Sequence, residues 1–121
     1  MKKEMIVELI SMLIGGEESA KSDLNRTFVG EYVIARTYSA GVHVGTLKER
    51  SGTEAVLTDV RRLYRWAGAF TLNEVAEKGI DLNNSKICTP VKSIFLSQVI
   101  EVIPCCRATQ DQISGAKTYE P

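Results

Sequence analysis

One histidine, three cysteines and no net charge are the main shortages of this 121-residue chain, in which fifteen Lys and Arg balance fifteen Asp and Glu. Each shortage excludes a class of function. With His43 alone and no Cys-x-x-Cys pair, a zinc site has too few ligands. Cys88, Cys105 and Cys106 are odd in number with two adjacent, which makes no disulfide framework and fits a reducing, cytoplasmic setting. Electroneutrality argues against a nucleic-acid polymer as partner, because duplex binding needs clustered Lys and Arg on many phosphates. No apolar run approaches the roughly 20 residues that span a bilayer. Glu4 and Glu8 interrupt the start of the chain, so neither a membrane segment nor a signal peptide is expected. The P-loop and dinucleotide fingerprints are missing, and so is a Gly-x-Ser-x-Gly elbow. His43 has no Cys or Ser partner in a nucleophile pattern. Asp59, Glu74, Glu77 and Asp81 lack the spacing of an acid–base pair. No enzyme, metal or cofactor is expected.

What is present is the composition of an ordinary globular domain, 44% apolar and 25% charged, in a length suited to one domain with a modest core. Met5, Ile6, Leu9, Ile10 and Leu13 recur at helical spacing and stop at Gly15-Gly16, which predicts an amphipathic helix over about 3–14. We assign residues 1–16 to an N-terminal oligomerisation helix, 17–30 to a polar linker and 31–121 to a single ligand-binding domain. Docking of that helix on its own domain is the competing reading. From Glu31 the pattern turns to strands: Tyr32 to Tyr38, a turn at Ser39-Ala40-Gly41, Val42 to Leu47, a hairpin at Ser51-Gly52 and a return strand from Glu54 to about Trp66. Alternation along that strand predicts Val56, Val60, Arg62, Tyr64 and Trp66 on one side, with Asp59, Arg61 and Arg65 on the other. Thr71 to Glu74 reads as a capping box with Phe70 and Val75 as a staple, opening a helix that ends at Gly79. Asp81 to Lys86 is expected as a loop, Ser93 to Ile103 as one long central strand and Cys106 to Ser114 as a last short helix. The expected fold class is α+β, a mostly antiparallel sheet of about four strands with short helices.

The functional signal is a cluster. Four of the seven arginines and four of the eight aromatic residues fall in Arg36–Gly45 and Arg61–Phe70. Guanidinium forks take phosphate in a bidentate way and aromatic faces stack on planar rings. Arg36, Arg61, Arg62 and the later Arg107 are the candidate phosphate contacts, and Tyr38, Trp66 and Phe70 the candidate stacking groups. Ser39, Gly41 and His43 complete the candidate ligand-binding set. Gly41 and Gly45 would let a backbone approach a ligand closely. Taken singly, each residue has a plainer reading as core, staple or solvated sheet face; only the clustering favours a site.

Arg36-Thr37-Tyr38-Ser39-Ala40-Gly41-Val42-His43-Val44-Gly45-Thr46-Leu47, Arg61 through Phe70 and Val99 through Cys105 together resemble a family of small phage and prophage proteins that includes the Thoeris anti-defence sponges of the first type. The resemblance covers about residues 31 to 107. It implies sequestration without catalysis: binding of glycocyclic ADP-ribose, and in some members of cyclic di- or trinucleotides of the cyclic-oligonucleotide (CBASS) defence, in the host bacterial cytoplasm. It also implies a homo-oligomer, dimer or hexamer, with pockets at the subunit interface. The alternative is a phage protein–protein interaction module that inhibits a host protein through its sheet and N-terminal helix.

Overall fold

A computed structural model of the chain describes residues 24–120. The helix expected over 1–16 and most of the linker lie outside the described residues. Six strands follow in order: β1 (Tyr32–Thr37), β2 (Val42–Ser51), β3 (Glu54–Arg65), β4 (Lys86–Ile87), β5 (Val91–Leu96) and β6 (Val99–Pro104). Helix α1 (Leu72–Lys78) lies between β3 and β4, and α2 (Arg107–Ser114) follows β6. Every strand pairing is antiparallel. This corrects the expected four-strand α+β fold: among the described residues the fold is mostly sheet, with six strands and two short α-helices. Two strands escaped the sequence reading for separate reasons. Lys86–Ile87 is too short and polar to show alternation, yet it pairs with Leu63 and Arg65. The expected single strand from Ser93 to Ile103 is broken at Ser97-Gln98 into β5 and β6.

That break determines the shape of the sheet. β5 pairs with β3, whereas β6 pairs with β1 at the opposite side of the β1–β2–β3 meander. A two-residue connection carries the chain from one side to the other, fastened by Val99 N–H to Thr53 O (2.9 Å) and Tyr38 N–H to Gln98 O (2.9 Å). The sheet therefore curls on itself and encloses Val33, Ala35, Leu47, Ala55, Leu57, Val60, Leu96 and Val99. Burial by closure leaves few free strand edges.

A second core lies on the outer face of β1–β3. Tyr32, Ile34, Val44, Leu63 and Ile87 meet Val75 and Ala76 of α1, Ile80, and Ile113 of α2. β1 serves both cores by strict alternation, with Val33 and Ala35 in one and Tyr32 and Ile34 in the other. β3 does not alternate throughout. Val44 pairs with Arg61 but Thr46 pairs with Thr58, so β3 holds one extra residue opposite Gly45. Asp59 adopts φ 48° there, a left-handed conformation that Asp tolerates better than most residues. This bulge reverses the facing of everything after it. Val60 joins Leu57 in the enclosed core, and Arg61 and Leu63 turn toward the helices. The grouping of Val56 with Val60 and Arg62, and the exposure of Arg61, are thus corrected by one inserted residue.

The capping box forms with one variation. Thr71 Oγ1 accepts from Glu74 N–H (3.3 Å), and Glu74 Oε1 accepts from the Phe70 amide (2.7 Å), one residue before the cap. The hydrophobic staple does not form, since Phe70 is 91% exposed while Val75 is fully buried. Residues 24–30 are packed against the sheet: Gly30 N–H donates to Leu47 O (2.8 Å), Asn25 Oδ1 accepts from Gly52 N–H (3.0 Å), and Phe28 contacts the enclosed core. Among the described residues no helix is long and apolar enough to cross a membrane.

Gly45 is the residue that makes room for the bulge. A Cβ there would meet Thr58 O at 2.8 Å and Val60 Cα at 2.9 Å, both backbone atoms that cannot rotate away. Gly45→Ala is expected to cost about 2 kcal/mol through overpacking, seen as a lower urea midpoint with an unchanged slope. An unchanged midpoint would show that the bulge does not need glycine opposite it.

Candidate functional site

The arginines of the cluster have different surroundings. Arg61 is 3% exposed, and its donors are engaged inside the protein. Nε donates to Cys88 O (3.0 Å), Nη1 to Ile113 O (3.0 Å) and to Ala116 O, and Nη2 to Thr118 Oγ1 (3.2 Å). Three backbone carbonyls and a hydroxyl around a buried guanidinium form a clamp that holds α2 and the C-terminal segment to β3. Burial lowers the Arg61 pKa from its usual value, but arginine remains charged. Arg36 pairs with Glu101 at 3.3 Å on the neighbouring β6. Arg107 pairs with Asp111 at 3.3 Å one turn along α2. The Arg62 guanidinium makes no hydrogen bond or ion pair among the described residues.

Arg62 also stands between two clefts. One, of about 330 Å³, is lined by the Ser39–Val42 turn, Arg62, Leu63 and Tyr64. The other, of about 200 Å³, is lined by His43, Val60, Arg62, Cys88, Thr89, Val91 and Ile94. The turn is held by Thr37 Oγ1, which donates to Gly41 O (2.7 Å) and accepts from Ala40 N–H (2.8 Å). Gly41 lies at φ 88° with open space where a Cβ would go, so backbone conformation selects glycine there. His43 is directly opposite Arg62 in the β2–β3 register. It is 1% exposed, and because a carbonyl can only accept, its Nε2–H donates to Ala40 O (3.0 Å). Burial, with Arg62 adding to it, lowers the His43 pKa and keeps the ring neutral, against the opposing pull of the Ala40 carbonyl.

Ser39, Gly41, His43 and Arg62 of the expected set are therefore brought together. Tyr38, 76% exposed, precedes the turn. Trp66 is half-buried against the helix-side core, Phe70 projects beside the start of α1, and Arg107 stands on α2; none of these three lines either cleft. The backbone that approaches Gly45 belongs to β3, not to a ligand. Tyr64, absent from the expected set, lines the first cleft and is 66% exposed, with Lys86 Nζ 6.0 Å from its ring centre. Its spacing two residues after Arg62 on a strand was the available signal. Among the described residues no group of three or more His, Cys, Asp or Glu could hold a metal ion.

A family model described as a domain of unknown function, DUF6948, matches residues 30–113. The chain belongs to the DUF6948 family. The match runs through all six strands and reaches into α2, so both Arg62 clefts lie within the DUF6948 domain. Ala116 and Thr118, which Arg61 holds, lie beyond it. No curated protein matches the sequence.

The cysteines of this DUF6948 chain differ in character. Burial, with Cys106 adding to it, pushes the Cys105 thiol up to about 12. Hydrogen bonds from Thr109 lower the pKa of Cys106, which occupies the N-cap position of α2.

Two outcomes check this arrangement. Arg61→Ala removes a charged donor set from buried acceptors and is expected to cost about 3 kcal/mol, with faster proteolysis after Ser114. Arg61→Lys, lacking the fork, restores only part of it. A loss below about 1 kcal/mol for the alanine variant would rule out the clamp. For His43, whose folded pKa is depressed, the unfolded chain binds the proton more readily, so its stabilisation is present above about pH 6.5 and is lost as pH falls toward the folded value. Urea midpoints should fall from about pH 7 to 5.5, and His43→Gln should flatten that slope.

Proposed function

We propose that this DUF6948 protein is a non-catalytic sponge that binds and sequesters a cyclic nucleotide-type immune signal, glycocyclic ADP-ribose or a cyclic di- or trinucleotide, without cleaving it. The observation that carries the reading is Arg62, an exposed guanidinium with no partner among the described residues, set between two clefts and bordered by a glycine turn and Tyr64. A fork-shaped cation beside an aromatic face suits a phosphate next to a planar base. The sequence resemblance to Thoeris anti-defence sponges points to the same ligand class. Each cleft alone is small for a cyclic dinucleotide. A complete pocket then calls for a second subunit, in keeping with a homo-oligomer in the host bacterial cytoplasm. Arg36 and Tyr38, next to the turn, are the natural rim contacts.

The test is to mix purified protein with glycocyclic ADP-ribose, a cyclic trinucleotide and linear NAD, remove unbound ligand, and heat the complex to release what was held. Intact cyclic signal should be recovered, and a cleaved product would mean an enzyme. Uptake of none of the three sinks the reading and leaves inhibition of a host protein as the alternative. Arg62→Ala should weaken uptake by about 10- to 100-fold, the effect of one or two charge-assisted hydrogen bonds, without lowering the thermal midpoint.

A further inference from the structure

A different cavity, of about 520 Å³, opens on the helix-side face of the sheet. It is lined by Tyr32 of β1, Thr46 of β2, Asp59 and Arg61 of β3, Pro90 to Lys92 at the start of β5, and Gln110 and Ser114 of α2. Arg61 and Arg62 are adjacent on an extended strand and face opposite ways, so this cavity and the Arg62 clefts lie on opposite sides of β3.

Two observations mark it as more than a surface groove. The first is Tyr32. The residue is 6% exposed, and its hydroxyl is the one buried side-chain polar atom without a hydrogen-bond partner among the described residues. Buried hydroxyls are nearly always paired, and leaving one unpaired is costly. Asp59 and Arg61, which line the same cavity, are close enough to act on the Tyr32 hydroxyl electrostatically. The second is the bulge, which sets Asp59 at φ 48° at the cavity wall. Bulges are common where a strand must re-aim a side chain beside a site. Asp59 and Lys92 have no ion pair among the described residues, although both line the cavity.

The donor set indicates the ligand. Arg61 directs four of its five N–H donors to three carbonyls and the Thr118 hydroxyl and serves as fixed floor. What remains is one carboxylate, one ammonium, three hydroxyls (Tyr32, Thr46, Ser114) and the Gln110 amide. A carboxylate accepts from sugar hydroxyls, as in dinucleotide sites where an acidic residue holds a ribose. An ammonium holds a phosphate as a point charge. We infer that this cavity is a second, separate ligand site that takes a hydroxylated phosphate ester such as a ribosyl phosphate, with Lys92 on the phosphate, Asp59 on the sugar hydroxyls and the orphaned Tyr32 hydroxyl completing the set.

Titration calorimetry on the full chain with ribose 5-phosphate, AMP, inorganic phosphate and ribose tests this. Ribose 5-phosphate should bind at millimolar concentration or tighter, and better than inorganic phosphate or ribose. AMP binding more tightly would place the ester within a nucleotide, and equal binding would favour the free sugar phosphate; both support the site. Tyr32→Phe should weaken binding about 10-fold, one hydrogen bond's worth. Its thermal midpoint should stay equal or rise, because the hydroxyl it removes has no partner in the free protein. Asp59→Asn, which keeps the bulge conformation accessible, should lower affinity for ribose 5-phosphate but not for inorganic phosphate. Lys92→Ala should lower both. Arg62→Ala should leave binding here unchanged, which separates this site from the one in the clefts. No binding of ribose 5-phosphate, binding unaffected by Tyr32→Phe, or inorganic phosphate binding as tightly as the ester would each overturn the proposal.

Discussion

The extra residue at Asp59, opposite Gly45, is the constraint on which the rest of the structure depends. Side chains on a strand alternate strictly, so one inserted residue exchanges the two faces of everything beyond it. Without it β3 would send Val60 toward the helices, and Arg61 would face the enclosed core, where its charge has no carbonyls to meet. With it, Val60 completes the enclosed core and Arg61 reaches Cys88, Ile113, Ala116 and Thr118. Arg62, the next residue, is correspondingly left exposed at the clefts.

The two cores divide the labour of the fold. The enclosed core depends on the short Ser97-Gln98 connection, which lets one stretch of chain pair with β3 and then with β1. The helix-side core depends on α1 and α2, positioned by polar contacts as much as by apolar ones. Thr109 Oγ1 donates to Val75 O (2.8 Å), and Gln112 bridges Ile80 through both its amide atoms (2.9 and 3.0 Å). The Gln112 bonds satisfy the backbone N–H and C=O of Ile80 just past the end of α1, while Thr109 adds a second bond to the Val75 carbonyl, which Gly79 N–H also meets. The surfaces with free functional groups lie where these cores end: the turn and Arg62 at one, the cavity beneath α2 at the other.

Some of this was legible in the sequence. β1, β2 and β3 declared themselves through β-branched and aromatic runs broken by Gly41 and Gly52, and the capping box at Thr71 and the helix after Cys106 were readable from local chemistry. Ser39, Gly41, His43 and Arg62 lie near one another because the tight β1–β2 turn and the β2–β3 pairing bring these segments together. Phe70 and Arg107 were grouped with them only by residue type, and the fold sends them to the helical layer. The polar pair Lys86–Ile87 had no pattern to read, since its strand state comes wholly from its partners on β3.

Local sequence thus determined where β1 and β3 start and stop, which turn needs glycine and how α1 is capped, because those outcomes follow from φ preference and hydrogen bonds within a few residues. It did not determine which arginine is structural. Arg61 and Arg62 are identical in type and adjacent in the chain, and their opposite environments follow from a bulge matched to a glycine on another strand. Only the tertiary structure decided that one guanidinium closes the C-terminal segment onto the sheet while the next stands free, because facing on β3 is fixed by pairing across strands and not by the residues themselves.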